Sequence, residues 1–182
     1  MKIDTVASHF PRRTRADWVG FFALAGLGAG AATSVAAAHG AAKLTRGDAQ
    51  KVIAPFYDAL NQPATKDVEG LLGRATSAEW TSCSSNETCV GRDTVIGGFK
   101  KRGAAVPDLK WDIKDVEVAG NNTVIVRSEA SGTPAAEFMG VSPAGRSFHV
   151  MAIDVHTIEG GKMVRSYHIE DWAGAIRQLS GK

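Results

Sequence analysis

The stretch from His149 to Asp171 brings His149, His156 and His168 together with Asp154, Glu170 and Asp171. These are side-chain types that take up and release protons near neutral pH, once their surroundings tune them. Glu159-Gly160-Gly161-Lys162 divides the stretch and reads as a hairpin turn. With Gly160-Gly161 as a two-residue turn, Glu159 faces Lys162, Ile153 faces His168 and Met151 faces Glu170. Side chains of a strand alternate between its faces. One face then collects His149, Met151, Ile153, Val155, Val164, Ser166, His168 and Glu170. It is the more apolar face, interrupted by two histidines and a carboxylate, and reads as a cavity lining. The other collects Val150, Ala152, Asp154, His156, Arg165, Tyr167, Ile169 and Asp171, a wetter or interfacial surface on which Asp154 faces Tyr167 and steadies the hairpin. Asp171 stands at the strand end, where alternation lapses. There a bulge or the chain's exit re-aims it toward the cavity, or it caps the helix that follows.

A carboxylate in an apolar cavity holds its proton more tightly than in water and can take one from carbon. Other chemistries lack their signatures. There is no His-x-His or His-Glu-x-x-His, no glycine-rich phosphate loop, no G-x-S-x-G elbow and no thiol–imidazole pattern. No metal and no cofactor are expected.

Cys83 and Cys89 enclose Ser84-Ser85-Asn86-Glu87-Thr88. In an oxidising compartment they form a local disulfide, helped by turn-forming serines and asparagine; in a reducing one they stay free thiols. Trp80 lies at the base of this loop, placed to cover a cavity mouth.

The elements that carry these residues follow from periodicity. Val52, Ile53, Phe56, Tyr57 and Leu60 recur at helical spacing behind the capping residues Thr45 to Asp48, with Pro55 kinking or starting the helix. Short helices fit Thr65 to Leu72 and Thr94 to Lys101, and Trp80 to Cys89 reads as a polar loop. After Pro107 the period changes to two. Strands run from Leu109 to Val118 and Thr123 to Ser131 around Gly120-Asn121-Asn122, then come the two strands of the last hairpin, then a closing helix from Trp172 to Leu179. Helices first and antiparallel strands after give an α+β order.

The 182 residues carry a formal charge of +2, and the first 38 account for all of it. Bulk attraction to nucleic acid is thereby excluded for the body. Arg12, Arg13 and Arg15 precede the uncharged stretch Trp18 to Ala38, which ends in Ala36-Ala37-Ala38. That is the layout of an export signal cleaved near Ala38. The other reading is an uncleaved anchor, the protein's sole membrane contact, although the glycines leave the stretch weakly hydrophobic. The chain thus divides into a leader, 1–40, and one α+β domain, 41–182, exported to the periplasm or secreted.

Several stretches of the body resemble the SnoaL-like polyketide cyclases (ester cyclases) of the nuclear transport factor 2-like superfamily. They are Val52-Ile-Ala-Pro-Phe-Tyr-Asp-Ala-Leu-Asn61, Trp80-Thr-Ser-Cys83 through Cys89-Val-Gly-Arg92, Phe138-Met-Gly140 with Pro143-Ala-Gly-Arg146, Ile153-Asp154, and Gly161-Lys-Met-Val164 followed by Tyr167-His-Ile-Glu-Asp-Trp172. The resemblance implies an α+β cone, a curved antiparallel sheet packed on N-terminal helices around an apolar cavity, and frequent homodimers. It implies that Asp171 acts as acid/base, with His149 or His156 near it. With the hairpin faces, the expected catalytic pair is Asp171 and His168. Phe56, Tyr57, Trp80, His149, Met151, Glu170 and Trp172 are expected to contact a small hydrophobic ligand. Two functions stay open: a cofactor-free cyclase acting on a small apolar carbonyl compound, or an exported module that binds such a ligand or a protein partner.

Overall fold

The computed structural model describes residues 43–181, so the leader expected over 1–40 lies outside the described residues. Helix α1, Arg46–Leu60, starts where Thr45 Oγ1 accepts the Asp48 N–H at 3.1 Å. It runs on through Pro55 and buries Ile53, Phe56, Tyr57 and Leu60. A single 3₁₀ turn, Pro63–Thr65, leads to α2, Val68–Ala75, capped by Asp67. That helix lies three residues beyond the span its apolar residues suggest, because Pro63 and Asp67 divide the segment into two short turns.

The segment expected as a polar loop is instead two strands, β1 (Thr76–Cys83) and β2 (Cys89–Gly91), joined by the Cys83–Cys89 disulfide. Ser85 Oγ accepts the N–H groups of Glu87 and Thr88 at 3.2 and 3.0 Å, the side-chain-made turn that the serines favour. Helix α3, Arg92–Ala105, is longer than expected and crosses the 3₁₀ turn closely. A Cβ at Gly103 would stand 2.6 Å from the Ala64 nitrogen, so only glycine fits there.

Four long strands follow: β3 (Lys110–Ala119), β4 (Thr123–Gly132), β5 (Phe148–Glu159) and β6 (Lys162–Glu170). Helix α4, Trp172–Ser180, closes the chain. The sheet order is β2-β1-β6-β5-β4-β3, antiparallel throughout except for β1 beside β6. Its inner face packs Val124, Val126, Phe148, Val150, Ile158 and Met163 against Ile53, Leu72, Val106 and Leu109. The result is the expected α+β cone.

One residue decides what the last hairpin presents. Gly160 and Gly161, at φ of 55° and 74°, form the two-residue turn, and Glu159 pairs with Lys162 as expected. The register then slips: Ile158 pairs with Met163 but Thr157 with Arg165, leaving Val164 as the extra residue of a β-bulge. From there on every β6 residue meets a partner one position further along β5 than regular alternation gives. His168 therefore faces Asp154, Ser166 faces His156 and Glu170 faces Ala152. This corrects the expected faces. Asp154 and His156 share the inner face with Ser166, His168 and Glu170, while His149, Met151, Ile153 and Val155 turn outward with Tyr167 and Ile169.

Candidate active site

Between the inner face of β1, β5 and β6 and helices α1 and α3 lies a cavity of about 250 Å³. Phe56, Leu60, Val95, Phe99 and Trp111 give it an apolar wall, and Asp154, Ser166, His168, Glu170 and Arg102 supply its polar groups. Ser84, Thr88 and Val90 from the disulfide-closed loop and β2 line its remaining edge.

Asp154 sits in the middle of β5 with 4% of its surface exposed. Tyr57, on the buried side of α1, donates its hydroxyl to Asp154 Oδ2 at 2.7 Å. Behind this pair runs a buried chain of hydrogen bonds. The Tyr57 oxygen lies 3.2 Å from His156 Nε2, His156 Nδ1 lies 2.8 Å from Ser166 Oγ, and Trp80 Nε1 donates to Ser166 Oγ at 3.0 Å. The indole nitrogen only donates, and an ionised Asp154 only accepts. With Asp154 ionised the chain thus has one consistent direction: Ser166 donates to His156 Nδ1, His156 Nε2–H to Tyr57, and Tyr57 to Asp154. Burial pushes the Asp154 carboxyl up to about 7; the Tyr57 hydrogen bond works against this and the Glu170 charge adds to it. Burial, with a smaller contribution from the charge on His168, takes His156 down to about 3, so its ring is neutral. Burial and the Asp154 charge hold the Tyr57 phenol well above its ordinary value, so it acts as a hydrogen-bond donor.

Across the strands from Asp154 stands His168, whose Nδ1 lies 3.0 Å from Glu170 Oε1. That hydrogen bond to a carboxylate is the main reason the imidazole holds its proton above the ordinary value, although burial opposes it. The other oxygen of Glu170 accepts from Trp172 Nε1 at 3.2 Å. Glu170 thereby orients both the histidine and the indole. Trp172 packs edge-on against Trp111, Phe138 and Phe148, which fixes its ring. Among the described residues no three His, Cys, Asp or Glu side chains converge as a metal ion would require.

The expected residues thus separate. His168, Glu170 and Phe56 line the cavity; Tyr57 and Trp80 lie one hydrogen bond behind it, and Trp80 is a core residue at 1% exposure rather than a cover at the mouth. Trp172 supports the Glu170 end from behind. Asp171, His149 and Met151 are not brought to the cavity. Asp171 Oδ1 accepts the Gly174 N–H at 2.8 Å and caps α4, and its carboxylate is more than half exposed, 3.8 Å from Arg177. His149 and Met151 lie on the outer face, where the bulge at Val164 leaves them. Ser166 lines the site as its strand face suggests, and Asp154 belongs to it rather than to the wetter face. Trp111 is part of its wall, and Phe99 and Arg102 belong to it without having been singled out. For Arg102 a signal exists in the sequence: Val95, Phe99 and Arg102 follow one another at helical spacing, which places a cation in the apolar stripe of α3.

Solved structures share this arrangement of elements. TsrD from Streptomyces laurentii superposes with a TM-score of 0.66 at 24% identity, covering 77% of this chain and 100% of that one. IdmH from Streptomyces antibioticus gives 0.62 at 26% identity, covering 72% and 97%. A SnoaL-like polyketide cyclase from Agrobacterium tumefaciens gives 0.57 at 21% identity, covering 71% and 96%. No protein of curated function matches the chain in sequence. The family model of SnoaL-like polyketide cyclases matches residues 51–179, a span that runs from within α1 through the whole cavity to the last turn of α4, and the chain belongs to that family.

Proposed function

We propose that the protein catalyses cofactor-free proton transfer on a small, largely apolar carbonyl compound held in this cavity, leading to an intramolecular aldol-type cyclisation or a related step. Family membership supports a cyclase-type function. The observation that carries the finer reading is Asp154: a carboxyl poised near 7 on an apolar wall, opposite a protonated imidazole. As base, Asp154 takes the proton from the carbon next to the carbonyl. The electron pair left on carbon moves to the carbonyl oxygen, where the His168 imidazolium, free at Nε2, donates a hydrogen bond. The enolate carbon then attacks a second carbonyl of the same molecule, forming the carbon–carbon bond, and the alkoxide produced takes the proton back from Asp154. Tyr57 positions the base, and Glu170 positions the imidazolium.

The test is hydrogen–deuterium exchange in a compact ketone, 2-tetralone, followed by NMR in D₂O. Asp154→Asn should slow enzyme-dependent exchange by on the order of 10²–10³-fold, the usual contribution of a positioned base. Unchanged exchange in that variant removes Asp154 from the chemistry. Asp171→Asn, which keeps a capping side chain, separates the two carboxylates: loss of exchange there returns the acid/base role to Asp171.

A second reading, a ligand-holding module outside the cytoplasm, is favoured by the disulfide at the cavity edge, which is compatible with export. No described helix is long and apolar enough to cross a membrane. Native mass spectrometry of protein from its own host discriminates: a ligand retained unchanged favours binding, and one chemically altered favours catalysis.

A further inference from the structure

Arg102 is the charged group of the cavity that the proton-transfer scheme leaves idle. Its guanidinium reaches from the last turn of α3 into the cavity and lies 5.3 Å from the centroid of the Trp172 ring, a cation–π contact that holds the planar group in place. Among the described residues it makes no hydrogen bond and no ion pair. The carboxylates that share the cavity are engaged elsewhere: Glu170 with His168 Nδ1 and Trp172 Nε1, Asp154 with Tyr57. The neighbouring wall, Val95, Phe99 and Trp111, offers it no carboxylate. Burial makes its charge costlier to hold and the Glu170 charge, beyond ion-pair distance, offsets part of that; an arginine stays protonated in proteins. A half-buried fork of N–H donors, fixed in orientation and unpaired, faces open space.

We propose that Arg102 is an anion site and that the ligand of this cavity bears a carboxylate on a compact apolar body. Arginine's fork matches the two oxygens of a carboxylate in a way that a single carbonyl oxygen does not. The charges agree with this. Each cavity carboxylate is hydrogen-bonded to a group other than Arg102, so the guanidinium is the charge without an ion-pair partner in the cavity, and an acidic ligand supplies one. The size agrees as well: about 250 Å³ lies below the ~300–1,000 Å³ typical of drug-sized pockets, which suits a skeleton of one or two rings. The carboxylate on Arg102, next to the Trp172 end, leaves the apolar body against Phe56 and Leu60 and within reach of Asp154. The proposal rests on the reading of this cavity as the ligand site, not on the chemistry assigned to it.

Binding of 2-naphthoate and its neutral counterpart 2-naphthamide, measured by isothermal titration calorimetry on the disulfide-bonded protein at pH 7, tests it. The wild type should bind the acid about tenfold or more tighter than the amide, as a charge-assisted bidentate pair requires. Arg102→Met should bring the acid to the affinity of the amide and leave the amide unchanged. Should that variant fail to fold, Arg102→Lys keeps the charge and loses the fork, and its preference for the acid should fall by several-fold. Equal affinities in the wild type, no binding of the acid, or equal loss of both probes on substitution overturns the proposal. Asp154→Asn must retain the preference for the acid. A wild type that shows the preference but no exchange of 2-tetralone protons defeats the catalytic reading and leaves the anion site standing.

Discussion

The β5–β6 hairpin turns Asp154, His156, Ser166, His168 and Glu170 toward the helices and Met151, Ile153, Val155, Tyr167 and Ile169 away from them. At the centre of the hairpin the usual partition of a half-exposed sheet is locally inverted, polar residues inward and apolar residues outward. Phe148, Val150, Ile158 and Met163 keep the ends of the inner face in the core. The inner set is tolerable because its polar atoms are engaged. No buried side-chain nitrogen or oxygen among the described residues lacks a hydrogen-bond partner. The groups that do reach open space, Asp154, His168 and Arg102, do so inside a cavity, where their unused donors and acceptors serve a ligand. The outer set contributes pleated, β-branched and aromatic surface, with Ile169 69% and Met151 57% exposed. Burial by itself is thus a poor guide to function here: the informative residues are the polar ones that the fold has gone out of its way to enclose.

The sharpest way to break this contrast is at Ser166, which the bulge at Val164 places opposite His156. With Ser166→Ala, Trp80 Nε1 and His156 Nδ1 both lose their partner. Each buried group left unsatisfied costs about 1–3 kcal/mol, so the substitution should cost on the order of 2–6 kcal/mol, much of a domain's stability. Urea unfolding measures it, and a variant within about 1 kcal/mol of the wild type would show that the buried hydrogen-bonded chain contributes little to the fold.

That bulge also marks the limit of what the sequence discloses. The α+β order, the hairpin turn at Gly160-Gly161 and the disulfide were legible because local chemistry determines them: helical spacing in α1, positive φ at paired glycines, two cysteines six residues apart. The cone itself was legible only through the family resemblance. The pairing of β6 with β5 was not legible, because nothing in Lys162-Met-Val-Arg-Ser166 announces an extra residue, and a slip of one sets the other face of β5 beside Ser166, His168 and Glu170. The rule that apolar residues face inward then chose the wrong face of β5, so Met151 and His149 stood in for Asp154 and His156. β1 was hidden for a related reason. Thr76 to Cys83 is mostly polar, since its inner residues Trp80 and Ser82 adjoin a hydrogen-bonded cavity rather than a dry core.

The inner face should also dominate the acid sensitivity of the fold. His156 is held neutral, its folded value of about 3 lying below the ordinary 6.5. The stability it contributes is present above 6.5 and is lost as pH falls toward 3. Asp154 works in the opposite sense, its folded value of about 7 exceeding the ordinary 3.8, so its contribution is complete below 3.8 and lost as pH rises through 7. Comparing His156→Gln with the wild type cancels the Asp154 effect. Between pH 7.5 and 4.5 the wild type should lose about 2–3 kcal/mol that the variant does not. Parallel stability curves for the two proteins would show that His156 is not kept neutral by its surroundings.

A smaller change tunes the base alone. Tyr57→Phe removes the hydrogen bond that lowers the Asp154 carboxyl, so its titration should move upward. If Asp154 is the base, the rising limb of kcat/KM against pH should shift to higher pH by about one unit, the worth of one hydrogen bond to a charged group. A limb that stays in place separates Tyr57 from the reactive carboxyl.

The outer face should respond least. Ile169→Thr and Met151→Thr keep residues suited to a strand and remove only side chains already 69% and 57% exposed. Neither side chain touches the hydrogen-bonded chain or the cavity, so unfolding free energies should change by less than about 0.5 kcal/mol. Activity should be unchanged. The measurement is best made over a range of protein concentrations, because the same apolar strip would behave differently if a second copy covered it. In that case the substitutions would cost more at high concentration than at low, since association contributes to apparent stability through mass action. A loss that disappears on dilution would make the outer face an interface between copies; a small loss independent of concentration would leave it an open surface. Either result sharpens the contrast, because the inner face should lose stability on substitution at every concentration.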